Sequence, residues 1–384
     1  MNIYMFCLDT LGVNPLRTPE KCPKLARYLN NSNLLFKNII VSTPFTDGCI
    51  SSMFTGLYGT VNGVDNWGKA KESFKRDQVI TLPQILKILG YKNFYVGYKT
   101  LQLEASFFDN HYLMDHVQDM EAVGKHRVGL SDIKYREQHN RKYAEIINKT
   151  KGNKFVFVAN MNYHDFNRCC DIDLPTSYWC EEDNEFYDQG MKFMDENLWI
   201  DFYDIDFEKD IVILFSDHGG RAWSDVYLDE EFVRCFWAIY APKTKKRVIE
   251  KLHSSVDFLS VFLKLLGVTD NDVLQGKKDG SKYCVSFGGI ADSKFTKLTS
   301  PDKPNQFLIT DGEYYYYRHD RIGEMITKNW KDVINIHKYD NRLSDKKLME
   351  FYKKKMNEII YPNKSLKEFY ENFKFKPYKY ASIE

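Results

Sequence analysis

The chain has 384 residues, 43% of them hydrophobic and 28% charged, which excludes a mainly disordered state and exceeds the size at which one core usually stops growing. Lysine plus arginine number 54 against 53 acidic residues, so no broad field draws in nucleic acid or an anionic membrane, and anion specificity has to be local. No stretch reaches the roughly 20 apolar residues of a membrane span, and residues 1–9 offer no basic, apolar leader. The expectation is a cytoplasmic protein without a membrane span and without a nucleic-acid partner; the oligomeric state is not legible.

Taken in chain order, residues 2–8 form an apolar run ending at Asp9. This is the pattern of a buried parallel strand that delivers a polar residue at its C-terminal tip. Thr18 and Pro19 read as the cap and first turn of a helix. A second strand over 34–41 leads into the turn-rich Ser42-Thr-Pro-Phe-Thr-Asp-Gly and a helix over 50–55. Thr81 caps a helix stopped by Gly90, and a strand over 93–97 follows. Residues 111–150, His- and charge-rich, are assigned to helices.

Residues 155–161 are a strongly apolar strand ending near His164, and residues 211–215 are another, ending at Asp217 and His218. Apolar residues from Val256 recur at helical spacing up to Gly267. Residues 270–279 turn polar and place a boundary between a catalytic domain, 1–270, and a small C-terminal subdomain, 271–384. The latter holds strands over 306–310 and 314–318 joined by Asp311-Gly312, and a Lys-rich amphipathic end from about residue 344. Tyr314 to Tyr317 read as a strand with one face buried. The alternation predicts an α/β/α sandwich with a large mostly parallel sheet and a small C-terminal α+β subdomain.

Eight cysteines show no paired metal spacing and read as small buried hydrophobes. Cys169, Cys170 and Cys180 form the group that an occasional disulfide or soft metal would use.

Strand tips of one parallel sheet converge, so Asp9, Asp217 and His218 can meet, with Thr46 on the loop after the second strand. Two carboxylates, an imidazole and a hydroxyl suit one divalent cation, Zn, Mn, Mg or Ca. His253, before the helix containing Asp257, is the candidate for a second ion, with His164 and Asp165 to complete it; one metal is the expectation.

Asp9-Thr-Leu, Thr18-Pro-Glu-Lys-Cys-Pro, Phe36-Lys-Asn, Thr46-Asp-Gly-Cys-Ile-Ser-Ser-Met-Phe-Thr-Gly-Leu-Tyr, Thr81-Leu-Pro-Gln, Phe215-Ser-Asp-His-Gly and Val256-Asp257 together resemble, in order and spacing over most of the chain, the sulfatase-like branch of the alkaline phosphatase superfamily. In formylglycine sulfatases a Cys or Ser opens the nucleophile motif, with Pro two residues on and Arg two beyond. Here those positions are Thr46, Gly48 and Ile50. The resemblance therefore implies a threonine nucleophile, similar to that of the superfamily's phosphodiesterases and phosphoethanolamine or phosphoglycerol transferases. The bland alternative for Thr46 is a helix cap.

The same resemblance gives His164 the role of touching substrate or protonating the leaving group. It places Lys99 beside the family's substrate-binding lysine, whose aligned place Tyr98 occupies. Asp225 falls where relatives carry Lys or His, and Asn62 where they often carry His. The implied activity is a metal-dependent hydrolase or transferase on a phosphate mono- or diester, the substrate being a small molecule, glycan or lipid precursor. A sulfuric ester hydrolase and an inactive binding protein of the same fold are the alternatives.

Overall fold

The structure, a computed structural model, describes residues 1–65, 70–98, 105–114, 130–166, 185–219, 228–269, 271–288, 304–320, 323–329 and 345–371. Two compact units interleave along the chain: residues 1–38, 86–224 and 234–250 make the first, and 39–85, 225–233 and 251–384 the second. No helix of the described residues is long and apolar enough to cross a membrane.

The first unit is built on the large sheet. Its strands are β1 (Ile3–Leu8), β2 (Leu34–Ile40), β3 (Lys92–Tyr98), β4 (Asn110–Met114), β5 (Lys154–Asn160), β6 (Ile211–Phe215), β7 (Arg234–Tyr240) and β8 (Arg247–Ile249), in spatial order β4-β3-β5-β1-β6-β7-β2-β8. Pairing is parallel from β4 to β6, and β7 runs antiparallel to β6. All six residues of β1 are buried, as a strand covered on both faces requires. Register sets Leu8 beside Asn160 and Cys7 beside Phe215. The C-terminal tips of β5, β1 and β6 therefore stand side by side.

Three expectations change here. Residues 111–114, assigned to helices, belong to β4, an edge strand whose first four residues are exposed or half-buried; polar exposure hid its period. The helix expected to start at Thr18 is split into a 3-10 turn, Pro19–Lys21, and α1 (Pro23–Asn31). Pro23 has no amide to donate and holds Cys22 out of the helical region. Thr18 instead donates its hydroxyl to the Asn14 carbonyl, 3.1 Å. The nucleophile-loop helix, α2 (Thr46–Thr55), begins four residues before the expected 50–55, with Phe45 at its N-cap and Gly56 closing it at φ +64°. Thr46 is its first residue and not its cap.

Gly90, at φ +87°, ends α3 (Leu82–Ile88) as expected. Further helices of the first unit are α4 (Leu130–Lys149), α5 (Asn162–Phe166) and α6 (Glu185–Glu196).

In the second unit the last residues of β2 pair with β9 (His253–Ser254), and α7 (Phe258–Leu265) follows. Strands β10 (Cys284–Gly288), β11 (Gln306–Thr310), β12 (Tyr315–His319) and β13 (Gly323–Thr327) make an antiparallel meander. Helix α8 (Lys346–Ile360) lays Tyr352 and Met356 into one core with Phe287, Phe307 and Tyr316. Tyr316 and Tyr317 point to opposite faces, yet both are fully buried, so this tyrosine-rich strand buries two faces and not the expected one. Gly312, at φ +91°, closes the β11–β12 turn.

Candidate metal centre

Asp9 is the first residue past β1, and its amide donates to the Asn160 carbonyl at 3.1 Å. The strand ladder thus fixes the backbone that carries the carboxylate. The chain then turns at Thr10, which adopts φ +59°, a left-handed conformation that a β-branched residue holds only under constraint. The constraint is visible. The Thr10 amide donates to Asp217 Oδ1 at 3.1 Å and its hydroxyl to the Asp9 carbonyl at 2.8 Å.

Two residues on, the Gly12 amide donates to the His218 carbonyl, 3.1 Å, and to Ser216 Oγ, 2.8 Å. Ser216 in turn donates to the His218 carbonyl at 2.8 Å. The turn after β1 and the turn after β6 are thereby stitched into one rigid piece.

Among the described residues, Asp9, Asp217 and His218 bring one ligand atom each within 4.8 Å of one another, all buried. His218 Nδ1 bonds the Gly219 carbonyl at 2.7 Å. That bond makes Nδ1 the donor and Nε2 the lone-pair nitrogen. Nε2 lies 3.4 Å from Asp217 Oδ2, a buried oxygen without a hydrogen-bond partner. A buried carboxylate oxygen left without a donor among the described residues is costly until a positive charge joins it. The donor set, two hard oxygens and an imidazole, fits a divalent cation.

The same tip carries an inert thiol. Burial first, and then the Asp217 charge, push Cys235 well above the ordinary thiol range, so it packs as a small hydrophobe.

The other expected residues are distributed as follows. His164 stands half-buried on α5 of the first unit, the helix anchored by the Asn162 amide on Asn160 Oδ1, 3.0 Å. Thr46 opens α2 in the second unit. Asn62, expected near the substrate, is fully buried and commits both ends of its amide locally: Nδ2 donates to Thr55 Oγ1 and the Leu57 carbonyl, both 3.2 Å, and Oδ1 accepts the Val64 amide, 2.9 Å. It braces the segment after α2. His253 donates Nδ1 to the Lys251 carbonyl, 2.8 Å, and burial lowers its pKa. Lys99, Asp225, Cys169, Cys170 and Cys180 lie outside the described residues, as does the Asp165 side chain. Sequence reasoning missed Thr10, Gly12 and Ser216, the residues that lock the turns. Gly12 was the one available signal, a glycine three residues past a strand-tip carboxylate.

A family model for sulfatases matches residues 9–268 of the chain. The chain belongs to the sulfatase family. Enzymes of this family are metal-dependent hydrolases, and the Asp9, Asp217 and His218 cluster is where such an ion fits.

Solved structures agree in fold. A Bacteroides thetaiotaomicron protein provisionally assigned as a sulfatase superposes with a TM-score of 0.71 at 13% identity, covering 98% of this chain and 94% of that one. A 2-O GAG sulfatase gives 0.68 at 13% identity, with coverage of 98% and 94%. The phosphonate monoester hydrolase of Agrobacterium radiobacter gives 0.63 at 12%, with coverage of 93% and 95%. At 12–13% identity these likenesses show a shared fold. No curated protein matches its sequence.

Proposed function

We propose that this sulfatase-family chain is a metal-dependent phosphoesterase, acting on a phosphate mono- or diester through the Thr46 hydroxyl. The observation that carries the reading is the buried cluster of Asp9, Asp217 and His218, with Asp217 Oδ2 lacking a donor. These three residues would hold the ion. A divalent cation bound there supplies Lewis acidity, favouring the alkoxide form of a hydroxyl and offsetting charge that develops on the ester oxygens.

Thr46 supports the reading because it heads α2 where the family motif sets its nucleophile, while Gly48 and Ile50 replace the Pro and Arg of the formylglycine motif. Thr46 Oγ attacks phosphorus as the bond to the leaving oxygen breaks. His164 gives that oxygen its proton. Water or an acceptor alcohol then displaces the threonine from its phosphoester, so hydrolysis and transfer share the first half of the reaction.

The substrate class follows the neighbours. One is named as a 2-O GAG sulfatase and another was solved with D-glucosamine-2-N,6-O-disulfate, which favours a phosphorylated sugar or glycan here. The same names favour a second reading, sulfuric ester hydrolysis by a plain hydroxyl. Parallel rates on p-nitrophenyl phosphate, bis-p-nitrophenyl phosphate and p-nitrophenyl sulfate with Mn or Zn decide between them. The first reading expects phosphoester turnover that Thr46→Ala abolishes. An unchanged rate in that variant rejects it, and a higher kcat/KM on the sulfate moves the assignment to the second reading.

A further inference from the structure

Thr43 lies in the turn before α2, and its side chain is fully buried. Its Oγ1 has no hydrogen-bond partner among the described residues. A buried hydroxyl in that state costs stability, so its position needs a reason.

The position is well defined. The preceding residue, Ser42, is held on both sides: its amide donates to Ser255 Oγ at 2.8 Å and its carbonyl accepts the Phe287 amide at 2.9 Å. Thr43 is thereby set against the first turn of α2. A Cβ added at Gly48 would lie 2.2 Å from Thr43 Oγ1 and 2.6 Å from the Phe45 ring. Gly48 is thus the gap that lets this hydroxyl reach the helix start.

The helix start leaves an amide outside the ladder. The first bond inside α2 runs from the Cys49 amide to the Phe45 carbonyl, 3.0 Å, so the Gly48 amide precedes it. Phe45 at the N-cap has no polar side chain to offer that amide and makes no side-chain cap bond. Amides at a ten-residue helix N-terminus attract an anion through their partial positive charge. The Thr43 proton adds a donor of the same sense at the same place.

We infer that Thr43 Oγ1–H, together with the Gly48 amide, binds an oxygen of the tetrahedral oxyanion, phosphoryl or sulfuryl, borne by the ester that Thr46 attacks. This deepens the reading given under Proposed function and rests on it for the identity of the ester. Thr43 is then a substrate-positioning donor, and Gly48 is required by it.

The test is anion binding to the zinc- or manganese-loaded full chain, followed by calorimetry with orthophosphate and, separately, with sulfate. The parent binds the anion of its own ester class more tightly. Thr43→Val, which keeps the shape and removes the hydroxyl, weakens that binding about tenfold, as loss of one hydrogen bond to a charged group does. Its Tm stays level or rises, because an unsatisfied buried group has gone. Thr43→Ser restores the affinity. Parental affinity in Thr43→Val overturns the inference. So does a loss of affinity that comes with a Tm lowered by several degrees, the mark of a helix brace. A parent that binds neither anion overturns this inference and the phosphoesterase reading together. If Thr46→Ala keeps full turnover while Thr43→Val loses anion affinity, the nucleophile assignment fails and the Thr43 donor stands.

Discussion

Asp217 and Asp257 are both fully buried carboxylates, and their surroundings are opposite. Asp257 Oδ1 accepts the Lys277 amide, 2.7 Å, and the Ser281 hydroxyl, 2.9 Å; its Oδ2 accepts the amides of Ser254, 2.8 Å, and Ser281, 3.2 Å. Four donors drawn from three places in the chain make this carboxylate a knot. Asp217 receives the Thr10 amide on Oδ1, while Oδ2 has no donor among the described residues and lies 3.4 Å from His218 Nε2. A buried charge that is saturated by its own chain serves the fold, and one left half-satisfied waits for a ligand.

The comparison breaks first, if at all, at Asp217. Asp217→Asn keeps the Thr10 bond through its carbonyl oxygen and removes the charge. Metal content after gel filtration, measured by mass spectrometry with zinc or manganese offered, is expected to fall at least a hundredfold in affinity, beyond the 10–100-fold that even outer-shell changes cause. Apo stability should hold or rise, because an uncompensated buried charge is gone. Undiminished metal binding in this variant would leave the half-satisfied carboxylate without a purpose.

Asp257→Ala is the mirror experiment. It strands four donors, the Ser254 amide buried and the other three half-buried, and urea denaturation should show a loss of about 3 kcal/mol, several unsatisfied groups being less than additive. Metal affinity, measured as above, should match the parent. A variant that folds normally but loses its metal would join Asp257 to the metal centre and erase the distinction.

The knot also titrates. Burial outweighs the four donors and raises the Asp257 pKa from 3.8 to about 6. The folded state therefore holds this proton while the unfolded chain releases it, so the group's contribution is fully present below pH 4 and is lost as pH rises to 6. The shift corresponds to about 3 kcal/mol at most. Subtracting the Asp257→Ala stability curve from the parental one between pH 4 and 7 should leave this downward slope. A difference that is flat, or that rises with pH, would mean the donors win and the carboxylate stays ionised.

How far the sequence revealed this contrast depends on distance along the chain. Asp9, Asp217 and His218 were legible because each follows an apolar run, and parallel strands bring such tips together whatever lies between. Asp257 was legible as part of a family motif, but its role was not: three of its four donors come from Lys277 and Ser281, within or beyond a composition change that read as a boundary. Edge strand β4 was hidden by the exposure of its own residues, and the α1 start was moved by Pro23, whose missing amide acts locally. The strands of the small meander at either end, β10 and β13, and the antiparallel β7 carry no signal of their own in the sequence, because their pairing partners set them. Nor does sequence spacing reveal a positive φ at Thr10, which no residue type there requires.

That angle gives the finest probe of the comparison. If the strand-tip turn is held for the sake of a ligand, the strain at Thr10 is imposed by the two stitched turns, and glycine, which adopts φ +59° without penalty, should relieve it. Thr10→Gly loses the hydroxyl bond to the Asp9 carbonyl and adds freedom to the unfolded chain, so gain and loss nearly cancel and stability should move by no more than about 1 kcal/mol. The Asp217 bond is made by the amide, which glycine retains, so the carboxylate keeps its place. Metal affinity should then weaken by less than tenfold, since Asp9 loses one backbone restraint and none of its charge. A drop of several kcal/mol would show instead that the threonine hydroxyl, and not the paired turns, holds this tip, and the line between a saturated knot and an open ligand site would have to be drawn elsewhere.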